Sequence, residues 1–501
     1  VSIIGIGPSQ KKLLKKSELD DRPLQIDYDL LLTMPAFRTE KDALGPKQIP
    51  QNAYYGVQTA RAMENFPISG WRAHPSFIEA TVLIKKAAAE VNTSLKMIST
   101  REGKAIVRAC DEILKGKFTD QFVVDVFQAG AGTSHNMNAN ELIANRANEI
   151  LGKPKGSYSP IHPNDHVNRA QSTNDVIPTA IRLAALKELK IFIPAALDLA
   201  RAFRKKEREF YKIIKSGRTH LQDATPIRLG QEFSGYAECL ENHVRRIKET
   251  RKDLWSIGLG GTAVGTGINT HPEYRKRVAK ALAQLTKEPI RPTKNYFEAM
   301  QSLAPFTNLS GCLRNLVLDL IRIANDLRLL SSGPRTGLAE IQLPPVQPGS
   351  SIMPGKVNPV MMEMLNMVCF FVLGLDTSIV FASQAGQLEL NVMMPLVGYA
   401  LPWSLTLLTN AMNGVKDRCI KGITADEARC RHYAENSVSI ATALAVSLGY
   451  AKTAEVVKEA IKTGKGIREI LREQGLLTDT QMDEVFNLAP LTEPPKSKKR
   501  K

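Results

Sequence analysis

The sequence predicts an all-α protein built around a block of long helices in the middle of the chain, and three observations lead there. Leu, Ala, Lys and Glu are common while aromatic residues make up only 6%, a mix that leans towards helix. Apolar residues recur at intervals of three and four over long stretches. Stretches with the pattern of a strand are few. A chain of 501 residues is too long for one compact core, so two or three domains are expected.

The elements follow in order. Residues 1–37 read as an N-terminal extension without fixed structure; the first 33 are expected to lie upstream of a start at Met34, after which the sequence becomes dense with pattern. Residues 38–173 read as a mostly helical N-terminal domain. Within it, Ser76 and Glu79 have the spacing of a capping box that opens a helix from Phe77 to Met97. Residues 174–422 read as a central helical bundle. There, Phe233, Tyr236, Leu240, Val244 and Ile247 line one helix face, and Leu309, Leu313, Leu316, Leu320, Ile323 and Leu327 line another. The stretch Pro359–Gln384 is apolar on nearly every side and must be buried among other helices. So much apolar helix surface exceeds what five helices can hide, which predicts burial against other subunits. Thr424 and Glu427 read as a second capping box, opening a small helical C-terminal domain over 423–490, with a basic tail at 491–501.

The formal charge of +17 is partly terminal, in Lys11, Lys12, Lys15 and Lys16 and again in Lys496, Lys498, Lys499, Arg500 and Lys501. Such runs read as solvated tails, so neither nucleic acid nor membrane is an expected partner. A positive surplus also suits an anionic substrate. The six cysteines are scattered without a CxxC pair or an evident metal spacing, which predicts free thiols in a reducing cytoplasm. No signal-peptide pattern is present, and the apolar run Met364–Leu373 is too short to cross a bilayer.

Four polar, glycine-containing segments interrupt the helical background. They are Gly130–Ser134, with Asn136, Asn138 and Asn140 behind it; Gln171–Asp175; Gly217–Asp223; and Gly349–Pro359, which reads GSSIMPGKVNP. Glycine with Ser, Thr or Asn ahead of a helix is the usual form of a turn and N-cap, and a lone His220 reads as a hydrogen-bonded structural residue. The fourth segment resists that reading. Its two glycines, two serines and a lysine supply the N–H groups, hydroxyls and ammonium that a carboxylate site needs. Two other candidates fail. Gly258–Gly267 lacks the GK[ST] ending of a phosphate loop and is not expected between a strand and a helix. His162 and His166 have ligand spacing, but Pro163 and the missing third ligand argue against zinc.

Together the four segments carry a resemblance to the aspartase/fumarase superfamily, from about Arg38 to Leu491, with Gly349–Pro359 its most specific element. The resemblance implies a three-domain all-α subunit whose central helices join those of three partners in a twenty-helix core. It implies a homotetramer in which each active site draws on three subunits. It further implies an elimination beside a carboxylate, through an aci-carboxylate whose second charge is stabilised by fixed donors. Ser350 matches the base, Ser351, Lys356 and Asn358 match substrate-binding positions, and Thr219 and His220 match those holding the carboxylate where charge grows. Glu363 matches the acid that orients the histidine. Thr133, Ser172, Thr173 and Asn174 match the pocket for the other carboxylate and the leaving group. This chemistry requires no cofactor, and no metal ligand set is expected. A non-catalytic relative with a structural or scaffold role is the alternative class.

Features outside the catalytic positions lean towards the ammonia-releasing branch of that family, which converts L-aspartate into fumarate and ammonia. They are Thr173, the stretch Gly386–Val392, Val360, Arg38–Asp42 with Tyr54–Thr59, and the ending Leu476–Thr478 with Met482–Phe486. Met394 and Leu375 depart from that branch, which commonly has glutamate and asparagine there. His162 in HPND is similar to an accessory feature of fumarases, so class II fumarate hydratase, with L-malate as substrate, is the alternative.

Overall fold

The computed structural model describes residues 36–349, 351–437 and 441–494. The expectations for residues 1–35, for Ser350 and for the basic tail from Pro495 onwards lie outside these.

The chain begins with a hairpin of β1 (Phe37–Asp42) and β2 (Gly45–Pro50), followed by α1 (Val57–Asn65). Helix α2 (Pro75–Ser94) starts differently from the sequence expectation. His74 is its N-cap and accepts from the Ser76 N–H, with Pro75 in the first turn. Glu79 is drawn away to an ion pair with Lys187, so Ser76 and Glu79 form no capping box. A true one, Ser99 with Glu102, opens α3 (Thr100–Leu114). Helix α4 (Thr133–Ile150) packs with α2 and α3 around Val82, Ile106, Leu142 and Ile143, a core separate from that of the bundle.

Helix α5 (Thr173–Glu209) has 37 residues and so runs roughly 55 Å at 1.5 Å per residue. Ser172 and Asp175 cap its start reciprocally. At its far end the chain forms a hairpin of β3 (Ile214–Thr219) and β4 (Gln222–Arg228) and turns back along α5 as α6 (Leu229–Thr250). The short β5 (Ser256–Ile257) precedes the glycine-rich loop and α7 (Tyr274–Thr286) follows it. That loop therefore does lie between a strand and a helix, against expectation. Then come β6 (Arg291–Pro292), parallel to β5, and α8 (Tyr296–Gln301). Helices α9 (Ala304–Leu330), α10 (Val360–Gln384) and α11 (Met394–Arg418) complete the bundle.

The five long helices close into a ring in the order α5, α6, α9, α10, α11 and back to α5. One continuous apolar core fills it, including Leu189, Phe203, Phe233, Leu316, Ile379 and Leu408. Both apolar stripes expected on α6 and α9 are buried. The strand β7 (Ile341–Gln342), between α9 and α10, pairs with β8 (Thr424–Ala425) beyond α11. Thr424 thus lies in a strand, and Asp426 caps α12 (Glu427–Asn436) by accepting from the Arg429 N–H. The expected Thr424–Glu427 box does not form, and the cap lies two residues further on. Helices α13 (Ala441–Leu448), α14 (Tyr450–Thr463), α15 (Ile467–Glu473) and α16 (Asp479–Val485) share a small core with Leu444, Ile470 and Leu471.

Helix α10 is buried on one side only. Met362, Leu365, Cys369, Val372 and Ile379 face the ring, whereas Met367, Phe370, Phe371 and Phe381 are each at least half exposed. By length and mean hydropathy it could cross a membrane, which the ten-residue run in the sequence did not suggest. It also carries Asp376, buried and bonded to Ser310 and Arg314 of α9.

The corner from α5 into the hairpin and α6 leaves no room for a side chain at Gly230. An added Cβ would lie 2.3 Å from the Glu207 carbonyl oxygen and 3.0 Å from the Tyr211 backbone. Overpacking against backbone costs about 1–3 kcal/mol or more. Gly230→Ala is therefore expected to lower the unfolding free energy from urea titration by at least about 1–3 kcal/mol, and an unchanged midpoint would contradict this packing.

Candidate active site

The four polar segments fall at two ends of the bundle. At the first end, Gly130–Gly132 form a tight turn, with Ala131 at φ 58° and Gly132 at φ 89°. The Ala131 N–H donates to the Val392 carbonyl at 2.8 Å, which sets Gly386–Val392 beside this turn. Thr133 begins α4, exposed. The starts of α4 and α5 meet, because Asn136 donates to the Thr173 hydroxyl at 3.2 Å. Two helix N-termini side by side leave N–H groups and positive dipole ends pointing outwards, a favourable setting for a carboxylate. Ser172 supplies the N-cap, Thr173 the first turn, and Asn174 donates to the Ala263 carbonyl at 2.8 Å. The bland N-cap reading of QSTND is thus correct in itself and leaves these side chains half exposed at the helix mouth.

Two buried charges that the sequence reading missed hold this end together. Lys85, wholly buried on α2, donates to Asn136, Asn168 and Gln171 at 2.8, 2.9 and 3.0 Å. Three amide oxygens around one nitrogen match the three donors of an ammonium. Burial pushes its pKa down to about 7, with Asp175 pulling the other way. Asp175, also buried, accepts from the N–H groups of Ser172, Gly260 and Thr262 at 2.8–2.9 Å. Burial pushes its carboxyl up to about 6 against these donors. The glycine-rich loop acts as a clamp on the start of α5, a role not read from the sequence. The sequence signal for Lys85 is its place at helical spacing among Ile78, Val82 and Ala89, on the apolar face of the helix.

At the second end, β3 and β4 are joined by the two-residue turn His220–Leu221, with φ 55° and 58°. Paired positive φ values are those of a type I′ hairpin turn. Thr219 and His220 stand at its exposed tip. His220 is therefore not the bonded structural histidine of the bland reading, and its segment is a hairpin, not a turn before a helix. Behind the tip, Lys215 and Arg218 pair with the fully buried Glu340 at 2.8 and 2.9 Å. This ties the hairpin to the connection that carries Gly349–Pro359.

That loop is cinched at its base by Asn358, whose carboxamide donates to the Gly349 carbonyl at 2.5 Å. Gly355 has φ 82°, a value that favours glycine. Ser351 and Lys356 are exposed along the loop, Asn358 is half-buried, and Glu363 lies half-buried in the first turn of α10. Among the described residues, no hydrogen bond or ion pair joins His220 to Glu363 within one chain.

Thr133, Ser172, Thr173 and Asn174 are thus brought together at one end, and Thr219, His220, Ser351, Lys356, Asn358 and Glu363 lie at the other. The length of α5 separates the two groups by roughly 55 Å. No single copy can bring both to one small ligand.

This arrangement has relatives. A family model described as lyase matches residues 45–374, and one described as fumarase C C-terminus matches residues 440–493. The aspartate ammonia-lyase of Bacillus subtilis (strain 168) is 49% identical over 458 residues, covering 91% of this chain and 96% of that protein. The aspartate ammonia-lyase of Escherichia coli (strain K12) is 46% identical over 466 residues, covering 92% and 98%. Among solved structures, a fumarate lyase:delta crystallin from Brucella melitensis bound to cobalt matches with TM-score 0.89 at 47% identity, over 92% of this chain and all of that one. A recombinant class II fumarase from Schistosoma mansoni matches with TM-score 0.88 at 36% identity, over the same shares.

Closure of the loop is directly testable. A Cβ at Gly349 would lie 1.9 Å from the Lys356 carbonyl oxygen, so Gly349→Ala cannot keep the cinched form. Proteolysis within 351–357 should quicken by on the order of tenfold or more, since about 1.4 kcal/mol of lost closure raises the open population that much. The urea midpoint should hardly move. Equal cleavage rates would contradict the closed geometry.

Proposed function

The chain belongs to the aspartase/fumarase superfamily of lyases, and we propose that its reaction is the reversible elimination of ammonia from L-aspartate to give fumarate. The observation that carries the substrate is the 46–49% identity to proteins named aspartate ammonia-lyase across nine-tenths of the chain. The 36% likeness to a class II fumarase supports the family. Thr173 and the stretch around Gln387, which lean the same way, belong to the end where the paired helix N-termini lie.

The chemical obstacle is a Cβ–H bond too weakly acidic for any side chain at neutral pH. Ser350 is the proposed base. Acting as its alkoxide, stabilised by the dipoles of the glycine-rich loop and the Lys356 charge, it takes the Cβ proton and becomes a neutral hydroxyl, while the electron pair of that bond moves into the adjacent carboxylate, giving an aci-carboxylate with two negative charges. The charge then returns to form the Cα–Cβ double bond as the Cα–N bond breaks anti to the lost proton, and ammonia leaves. Thr219 and His220 receive the carboxylate that carries the growing charge, with Glu363 orienting the histidine. Ser351, Lys356 and Asn358 bind the substrate from the loop. Thr133, Ser172, Thr173 and Asn174 hold the other carboxylate and the amino group. Donors fixed before reaction are worth most here, because they need no reorganisation as the dianion forms. The electron sink is the substrate's own carboxylate, so the step calls for no cofactor.

Residues roughly 55 Å apart can serve one substrate only if the first end of one copy meets the second end of another, as antiparallel packing about a two-fold axis allows. This supports a homotetramer with each site drawn from three subunits, and the exposed apolar side of α10 supports the same arrangement. A partner helix is the proposed cover for that side; the opposite side of the same helix already packs in the ring, with Asp376 and Asn366 bonded to α9. Neither membrane nor nucleic acid is a proposed partner. Six unpaired cysteines support a cytoplasmic setting.

The protein is expected to sediment as four chains and to produce the absorbance of fumarate from L-aspartate but not from L-malate. His220→Ala should lower kcat by about 10²–10³, the usual loss of one such donor. Turnover of malate with none of aspartate would replace this reading by the fumarase one. Activity with neither would leave a non-catalytic relative.

A further inference from the structure

A second cluster of chemically competent side chains lies far from both ends. Cys239 and His243 are one helical turn apart near the middle of α6, and Asp319 faces them from the middle of α9. One donor atom from each, a sulfur, a ring nitrogen and a carboxylate oxygen, lie within 4.8 Å of one another. The His243 Nε2 is 2.7 Å from an Asp319 oxygen. Bound to one tetrahedral ion at the usual metal–ligand distances of about 2.0–2.3 Å, three such atoms would be roughly 3.3–3.6 Å apart. The cluster is therefore close to a ligand geometry with two rigid helices as its frame. The survey of cysteines along the sequence missed it, because the third member comes from a helix 76 residues away.

We propose that Cys239, His243 and Asp319 form a binding site for one divalent transition-metal ion of the zinc class, stapling α6 to α9.

A mixed sulfur, nitrogen and oxygen donor set suits a borderline ion such as Zn²⁺ and disfavours Mg²⁺ or Ca²⁺, which take oxygen. Charge balances locally, since one thiolate, one carboxylate and a neutral imidazole cancel the two positive charges. That matters because Arg322 lies beside the cluster, 3.3 Å from the other Asp319 oxygen. A neutral metal centre does not repel it. Arg322 then acts as an outer partner that orients the carboxylate, and it keeps its second contact to Asp326 at 3.2 Å. His243 is buried while Cys239 and Asp319 are partly open, which gives an ion a route in and leaves a fourth position for water. Binding displaces the thiol proton to solvent; no electron is transferred. The competing account is a plain His–Asp pair on a helix seam with a cysteine alongside.

Cobalt titration separates the two. The full-length protein, stripped with a chelator and kept reduced without added thiol, is titrated with Co²⁺. One ion per chain should bind, with a near-ultraviolet thiolate-to-metal band and visible bands of tetrahedral intensity, and Zn²⁺ should displace it. Cys239→Ser should remove the thiolate band, and His243→Gln should weaken binding by at least about tenfold. Both variants should keep the circular dichroism of the parent. Zn²⁺ should raise the Tm of the wild type by a few degrees and leave Cys239→Ser unmoved. Absence of the band in the wild type would overturn the proposal. So would its persistence in Cys239→Ser, which would assign the thiolate to another cysteine.

Discussion

The constraint on which the rest depends is the uninterrupted length of α5. Its 37 residues act as a rod of roughly 55 Å, and the polar segments are attached near its two tips. The rod is stiff because its buried side packs against both α6 and α11. Pro178 and Pro194 lie within it and do not end it. Everything local can be arranged by short-range contacts, but the gap between the tips cannot be closed by any loop movement in one copy. On the proposed reading, in which one site uses both tips, assembly is part of the chemistry and not merely a source of stability.

Each tip is prepared in a different way. At the first, the work is done by buried amides and two buried charges. Lys85 holds Asn136, Asn168 and Gln171, Asn136 reaches Thr173, and Asp175 gathers the N–H groups of its own cap and of the glycine-rich loop. Such a network is stable only when every member is satisfied, which fixes the helix mouths before any ligand arrives. At the second tip, buried ion pairs and a loop-closing hydrogen bond carry exposed segments. The buried Glu340 with Lys215 and Arg218 anchors a hairpin whose apex is exposed. Asn358 closes the base of a loop whose middle is also exposed. A buried, satisfied first tip and an exposed second one suit a site that must admit a substrate and then surround it.

Much of this was legible in the sequence, for reasons that can be named. The apolar stripes of α6 and α9 follow the helical period directly, and the four polar segments stand out against it. The two capping boxes read at Ser76 and Thr424 failed because the caps come from neighbours, His74 and Asp426. A Ser or Thr followed by Glu three residues later does not say which residue leaves the helix. The hairpin that carries His220 is not legible in the sequence because its tight I′ turn is made of His and Leu, without the usual Asn-Gly. The roles of Lys85 and Asp175 were not legible, because burial of a charge depends on partners from other parts of the chain. The division of the site into two ends needed only the helix lengths, yet it became plain only once α5 was seen to run unbroken.

The central claim is that one site combines the two ends of different chains. Complementation tests it most directly. Thr173→Val disables the first end and His220→Ala the second, and each variant alone should be nearly inactive. Unfolded together in equal amounts and refolded, they should form mixed assemblies in which about a quarter of the sites receive both intact ends, by random assortment of chains in a symmetric oligomer. Recovery of activity towards that fraction of wild type is the predicted result. No recovery from mixed assemblies that have demonstrably formed would contradict the account.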